Sequence, residues 1–383
     1  MKERRLRPSP FILVLAAIGV LMAGAATTLS GVCGPFTDVG DDAFCPFLQE
    51  IFYLGITSGT SPTTYAPDEP VTRIQAAAFL SRTVDAALRM GSRRAAIGQF
   101  WTPRVQAALG QTEIGSGIYS VVSDGTDLWV SRLPDSVVRV RGSDGRVLET
   151  WTGVIGATQM LAAMGKIFVI GTNQPYGTHV LYRLDPSQPA GSATVVATEL
   201  GDIPQSIAFD GTRIWTGNTN ASISAILPTP TPPWRVTNLR FGFWSPTAVV
   251  FDGASLWAVD YAAKTLLRLE GGGILQTVTL GGLPELPIFD GASLWVPNQT
   301  FNAVSVVRAS TGAILATLTA EGLFSPRSAA FDGERVMVTS SSRVCLWKAS
   351  SLSPLGCYPF GAGAACSDGI NFWLTMGTSL ARF

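Results

Sequence analysis

From residue 108 onward, short apolar runs alternate with clusters of turn residues, and one phrase recurs: Asp-Gly, two variable residues, an aliphatic residue and then usually Trp. It stands at Asp124-Gly125 to Trp129, Asp210-Gly211 to Trp215, Asp252-Gly253 to Trp257, Asp290-Gly291 to Trp295 and Asp368-Gly369 to Trp373. Weaker copies run from Met164-Gly165 to Phe168 and from Asp332-Gly333 to Met337. The glycines recur about every 41 residues, the repeat length of a four-stranded propeller blade.

Asp-Gly between apolar runs marks a hairpin, because both central residues of a type I′ turn need positive φ. In the third copy residues 206–209 form an inner strand, Asp210-Gly211 turns the chain and residues 214–216 return. Third and fourth runs follow, as at 137–141 and 147–151, separated by Gly142-Ser143-Asp144-Gly145. The runs are apolar on both faces, as required of sheets sandwiched between neighbouring sheets.

The last copy, with runs at 364–366, 372–374 and 379–383, lacks a fourth strand, whereas residues 108–115 read like the fourth strands elsewhere. Pairing these ends would close a ring and remove the exposed edges that template aggregation. The expected fold class is all-β: a seven-bladed β-propeller over 108–383. The phrases Phe-Asp-Gly-x-x-Leu-Trp at 251–257 and 289–295 resemble bacterial seven-bladed propellers of the NHL and YVTN type. That resemblance implies a fold, and the fold hosts many unrelated activities.

Residues 1–26 read as a signal peptide: Lys2, Arg4, Arg5 and Arg7, an apolar run from Phe11, and the small residues Ala23-Gly24-Ala25. The run to Ala26 is 16 residues, short of the roughly 20 that span a bilayer, so cleavage and export are expected, without a membrane anchor. Cleavage would leave 23 basic against 26 acidic residues, and no basic patch points to nucleic acid. In an oxidising compartment the five cysteines favour disulfides, and no C-x-x-C spacing offers a metal site. Cys33 with Cys45 and Cys345 with Cys357 are the expected pairs, leaving Cys366 as a buried thiol; exchange of Cys366 for Cys345 opposite Cys357 stays open.

Residues 34–91 pattern as a small helical module, followed by a linker at 92–107. Asp41 or Asp42 caps a first helix carrying Phe44, Phe47, Leu48, Ile51 and Leu54 on one face. Thr72 and Gln75 form a capping box that opens a second helix through Ile74, Ala77 and Ala78. The strings Phe36-Thr37-Asp38-Val39, Gly55-Ile56-Thr57-Ser58-Gly59 and Tyr65-Ala66-Pro67-Asp68-Glu69-Pro70-Val71-Thr72-Arg73 resemble one S-layer homology (SLH) motif. The resemblance implies a pocket for anionic cell-wall polysaccharide built from Phe44, Gly59, Arg73 and Gln75, with Arg73 on a ligand acid group. Gln75 replaces the family's Glu, Phe44 its Trp, and one motif stands where wall anchors carry three. Arg73 as a helix-start residue tying down the preceding loop is the competing role.

Catalytic constellations are scarce. His179 is the only histidine, and neither a Gly-x-Ser-x-Gly elbow nor a phosphate-binding loop occurs. His179 is expected on an exposed loop, and the repeated tryptophans are expected in the core between blades rather than as a sugar-stacking ring. Five residues before each turn aspartate stand Tyr119, Gln159, Gln205, Thr247, Glu285, Arg327 and Gly363. They are expected to ring the channel mouth, as a small-ligand site or as a solvated rim with Glu285 paired to Arg327. No catalytic residue, metal or cofactor is expected. The function these features imply is an exported, envelope-associated binding or scaffold protein; the alternative is a propeller-class lyase or hydrolase acting on a small molecule or glycan in the channel.

Overall fold

A computed structural model of the chain describes residues 33, 35–39, 45, 48, 51–52, 56–89, 110–191 and 193–383. The signal segment, the linker, Phe44, Phe47 and Leu54 lie outside the described residues. The chain divides into two compact units, residues 1–99 and 100–383.

Among the described residues of the second unit 28 strands, β1 to β28 in chain order, form seven four-stranded antiparallel sheets. Each blade opens on a strand that touches the opening strands of its neighbours: β2 (Ile118–Ser123), β6 (Met160–Ala163), β10 (Pro204–Phe209), β14 (Pro246–Phe251), β18 (Ile288–Phe289), β22 (Ser328–Phe331) and β26 (Ala365–Ser367). Contact between β26 and β2 completes the circle, so these strands line the axis. The ring is closed by chain ends as the strand pattern predicts. β1 (Gly110–Glu113) pairs antiparallel with β28 (Ser379–Arg382), from Gly110 opposite Arg382 to Glu113 opposite Ser379. The Glu113 carboxylate also accepts from the hydroxyls of Thr378 and Ser379.

Seven apolar clusters fill the seven junctions between blades. Trp129, Trp257, Trp295 and Trp373 are 0–1% exposed within them, as the core reading of the tryptophans requires. Trp215 is different: it is half-buried and packs only against the margin of its cluster.

The turn geometry corrects the type I′ expectation. In the copy at 252 the amide of Asp252 donates to the carbonyl of Ser255, so the central residues are Gly253 and Ala254, and Gly253 has φ +91°. Positive φ at the first central position is the type II′ arrangement. Aspartate is favoured just before the turn because its Oδ1 accepts from the amides of Ala254 and Ser255, at 2.8 and 2.6 Å. Only the copy without Asp makes the turn expected of all: Met164 and Gly165 both have positive φ, at 53° and 67°.

In the first unit Phe36 is fully buried, edge-on to Phe52 and tilted against Tyr65, in a cluster with Cys33, Val39, Cys45 and Leu48. Disulfides join Cys33 to Cys45 here and Cys345 to Cys357 in the sixth blade, while Cys366 is free. Helix α1 (Arg73–Arg89) opens on the expected capping box: the Thr72 amide donates to Gln75 Oε1 at 2.8 Å, and the Gln75 amide donates to Thr72 Oγ1 at 3.2 Å. Its Ile74 is 84% exposed, so the apolar positions read along this helix do not all face a core.

Candidate functional site

Six of the rim residues occupy equivalent places at one end of the blades, and in four of them a bulge releases the residue from the strand ladder. Ile118 pairs with Arg132 and Ser120 with Ser131, which leaves Tyr119 as an extra residue in the ladder. Gln205 and Thr247 are the extra residues of β10 and β14 in the same way. In the second blade Thr158 donates to the Ile170 carbonyl while Ile170 donates to that of Gln159, again two residues against one. Such bulges withdraw a residue from pairing and re-aim its side chain. Arg327 and Glu285 stand just ahead of β22 and β18, and the Leu286 amide donates to the Arg327 carbonyl, linking the fifth and sixth blades.

Electrostatics shows which of them converge. Burial raises the Glu285 carboxyl above its ordinary range, and the Arg327 charge opposes that shift. Burial also raises the Tyr119 phenol, and the Glu285 charge raises it further, so a first-blade residue senses a fifth-blade carboxylate. Glu285 and Arg327 do not form the contact pair expected of a solvated rim: no ion pair within 4.0 Å joins them. Gln159 is tied to the first blade through Ser120 Oγ, which donates to its Oε1 at 3.2 Å. Gly363 contributes only backbone.

Around this mouth the sequence reading missed exposed aromatics in the connecting loops: Trp244 at 72%, Phe301 at 54% and Phe324 at 62%. Their signal in the sequence is an aromatic outside any periodic run. Asp260 anchors one of these loops, accepting from the amides of Trp244 and Ser245 at 2.7 and 2.9 Å.

His179 is not on a loop. It begins β8 (His179–Leu184), opposite Thr172, and lines a cleft of about 570 Å³ with Tyr176, Glu199 and Asp202. Burial lowers its pKa, and the Asp202 charge works against that. Among the described residues no group of three or more His, Cys, Asp or Glu side chains is placed to hold a metal ion. A larger cleft, about 780 Å³, opens between the third and fourth blades at the end opposite the rim.

In the first unit Gly59 has φ +77°, and a Cβ there would collide with the Phe36 ring and the Thr64 carbonyl, so glycine is needed for the fold. Asp38 accepts from the amides of Tyr65 and Ala66, which lowers its pKa and fixes the loop leading to α1. Arg73 is exposed at the helix start and has no ion-pair partner among the described residues. Gln75 Oε1 also accepts from the Thr72 hydroxyl, so its oxygen is committed to the cap.

Residues 35–77 match the S-layer homology domain family. No curated protein matches the chain. Among solved structures, the WD40 beta propeller domain of Doa1 is similar with a TM-score of 0.56 at 13% identity, over 72% of this chain and 94% of that one. At that identity the likeness establishes the fold alone, a β-propeller, here of seven blades and preceded by the residues that match the S-layer homology domain.

Proposed function

We propose that the protein is an exported, cell-envelope-associated binding or scaffold protein, with a degenerate wall-polysaccharide-binding module at 34–91 and a non-catalytic propeller at 108–383. The S-layer homology match at residues 35–77 carries this reading, because domains of that family bind cell-wall polymers at the bacterial surface. Arg73, exposed and without an ion-pair partner among the described residues, is available for an anionic polymer. The propeller supplies the binding surface proper. Its rim brings Tyr119, Glu285 and Arg327 within electrostatic reach, and Trp244, Phe301 and Phe324 offer the exposed aromatic area that protein and glycan contacts use.

The test is co-sedimentation of the full chain with purified cell-wall sacculi, before and after acid extraction of their anionic polymers. Pelleting that needs the polymer and is lost in Arg73→Ala is the expected result. A folded wild-type chain that stays in the supernatant would remove the anchoring role.

A further inference from the structure

At one position the third blade carries the smallest residue of the seven. In the first, fourth and seventh blades the residue paired with the repeat's tryptophan on the next strand is arginine: Trp129 with Arg139, Trp257 with Arg268, and Trp373 with Arg382. Each guanidinium lies over its indole, at 5.2, 5.7 and 5.9 Å from the ring centroid, a cation–π contact that seals the aromatic face. In the fifth blade Val306 stands opposite Trp295. In the third, Trp215 on β11 (Ile214–Asn218) faces Ala225 on β12 (Ser222–Leu227), and Ala225 faces Thr237 on β13 (Arg235–Leu239).

The small column leaves space. Trp215, Ala225 and Thr237 form one wall of the cleft of about 780 Å³, and Phe251, Ser255 and Leu256 of the fourth blade form another. That volume falls in the range of roughly 300–1,000 Å³ typical of ligand sites. The indole is also fixed in place, because its Nε1 donates to Asp210 Oδ2 at 2.7 Å.

Charge at the cleft favours an anion. Arg213 and Arg235 line it, are exposed, and form no ion pair within 4.0 Å among the described residues. Arg268 is held by Ser255 Oγ and by Trp257. The Asp210 carboxylate is consumed by its own turn and by Trp215, which leaves Glu270 as the acidic group at the margin.

We propose that this cleft binds an acidic glycan, with a sugar ring stacked on the open face of Trp215 and a sugar carboxylate held by Arg213 and Arg235. A sugar presents a C–H face to the negative face of an aromatic ring and polar groups at its edge, which matches an indole platform rimmed by Thr237, Ser255 and two guanidinium groups. An extended peptide fits less well. The indole stands on a sheet face where β11 and β12 are paired on both sides, so strand addition is confined to the outer edge of β13, two strands away from Trp215. The site is on the propeller and stands whether or not residues 35–77 bind wall polymer.

The test is calorimetric titration of the full chain with tetragalacturonate, with cellotetraose and a tetraglutamate peptide as comparators. Ala225→Arg supplies the side chain that covers the indole in three other blades, and it should abolish binding while leaving the melting temperature unchanged or higher. Arg213→Gln and Arg235→Gln, both at exposed positions, should each weaken binding about tenfold. Tetragalacturonate binding that survives Ala225→Arg, equal binding of cellotetraose, equal binding of tetraglutamate, or no binding of tetragalacturonate to the wild type would each overturn the assignment.

Discussion

The indole nitrogen of Trp257 donates to Oδ2 of Asp252 at 2.8 Å, five residues back and across the turn, while Oδ1 of the same carboxylate holds the turn amides. One side chain thus closes the hairpin and satisfies the buried polar atom of the blade's largest core residue. The arrangement recurs at Asp124 and Trp129, Asp210 and Trp215, Asp290 and Trp295, and Asp368 and Trp373. Where Met337 replaces Trp, Arg335 Nε donates to Asp332 Oδ2 at 2.8 Å instead.

Removing this clasp should be expensive. Asp252→Ala deletes the acceptor of three donors and strands a buried indole N–H, so the propeller should lose about 2–3 kcal/mol in urea denaturation. Asp252→Asn keeps one oxygen for the turn but turns an amide donor toward the indole, with an expected loss of about 1–2 kcal/mol. Trp257→Phe should cost less in the Asn background than in the wild type; equal costs would show that the two side chains act independently.

The repeat and its closure were legible because they depend on period and strand count, which a chain carries in one dimension. The clasp was half legible. Asp and Trp are lost together at Met164 and Phe168, an association that points to contact, yet the turn was assigned to Asp-Gly as its centre although Gly is the only one of the two with positive φ. The bulges that free Tyr119, Gln205 and Thr247 depend on register between strands, which composition does not reveal. The open face of Trp215 was hidden for the same reason: it follows from Ala225 standing where other blades place arginine, and that is visible only once the strands are paired.

Closure by β1 predicts a sharp boundary. A chain starting at residue 106 retains the four ladder positions of β1, whereas one starting at residue 115 exposes the edge of β28 and discards the Glu113 contacts with Thr378 and Ser379. The second truncation should be less stable by about 2–4 kcal/mol and more prone to aggregate. Equal melting temperatures would mean that the ring does not depend on this strand.

Cys345 and Cys357 face each other across β24 (Val344–Lys348) and β25 (Ser353–Tyr358), the outer pair of the sixth blade. At a sequence separation of 12, the bridge restricts a short loop of the unfolded chain and should contribute about 2–3 kcal/mol. Reductant should therefore lower the melting temperature of the wild type, and Cys345→Ala with Cys357→Ala should reproduce that loss. Cys366, whose thiol burial holds well above the ordinary range, should stay unreactive toward thiol reagents in the folded protein.

At the rim, Glu285 should act against stability at neutral pH. Its carboxyl is raised from the ordinary 4.5, mainly by burial and with Arg327 opposing, so the folded state favours the protonated form relative to the unfolded chain. The stability this provides is complete below pH 4.5 and is lost as pH rises through the folded-state value. Glu285→Gln should therefore melt higher than the wild type at neutral pH, with the difference shrinking toward pH 4.5. Arg327→Gln removes the opposing charge and should shift the wild-type pH dependence further upward, an effect that vanishes when Glu285 is already Gln. Tyr119 gives an independent readout, because Glu285 raises its phenol beyond what burial does. In Glu285→Gln the phenol titration, taken as a difference against Tyr119→Phe, should move down but remain above the ordinary 10.0. A Glu285→Gln chain with unchanged pH dependence and unchanged phenol titration would mean that the carboxylate points away from the mouth, and the rim would lose its claim as a site.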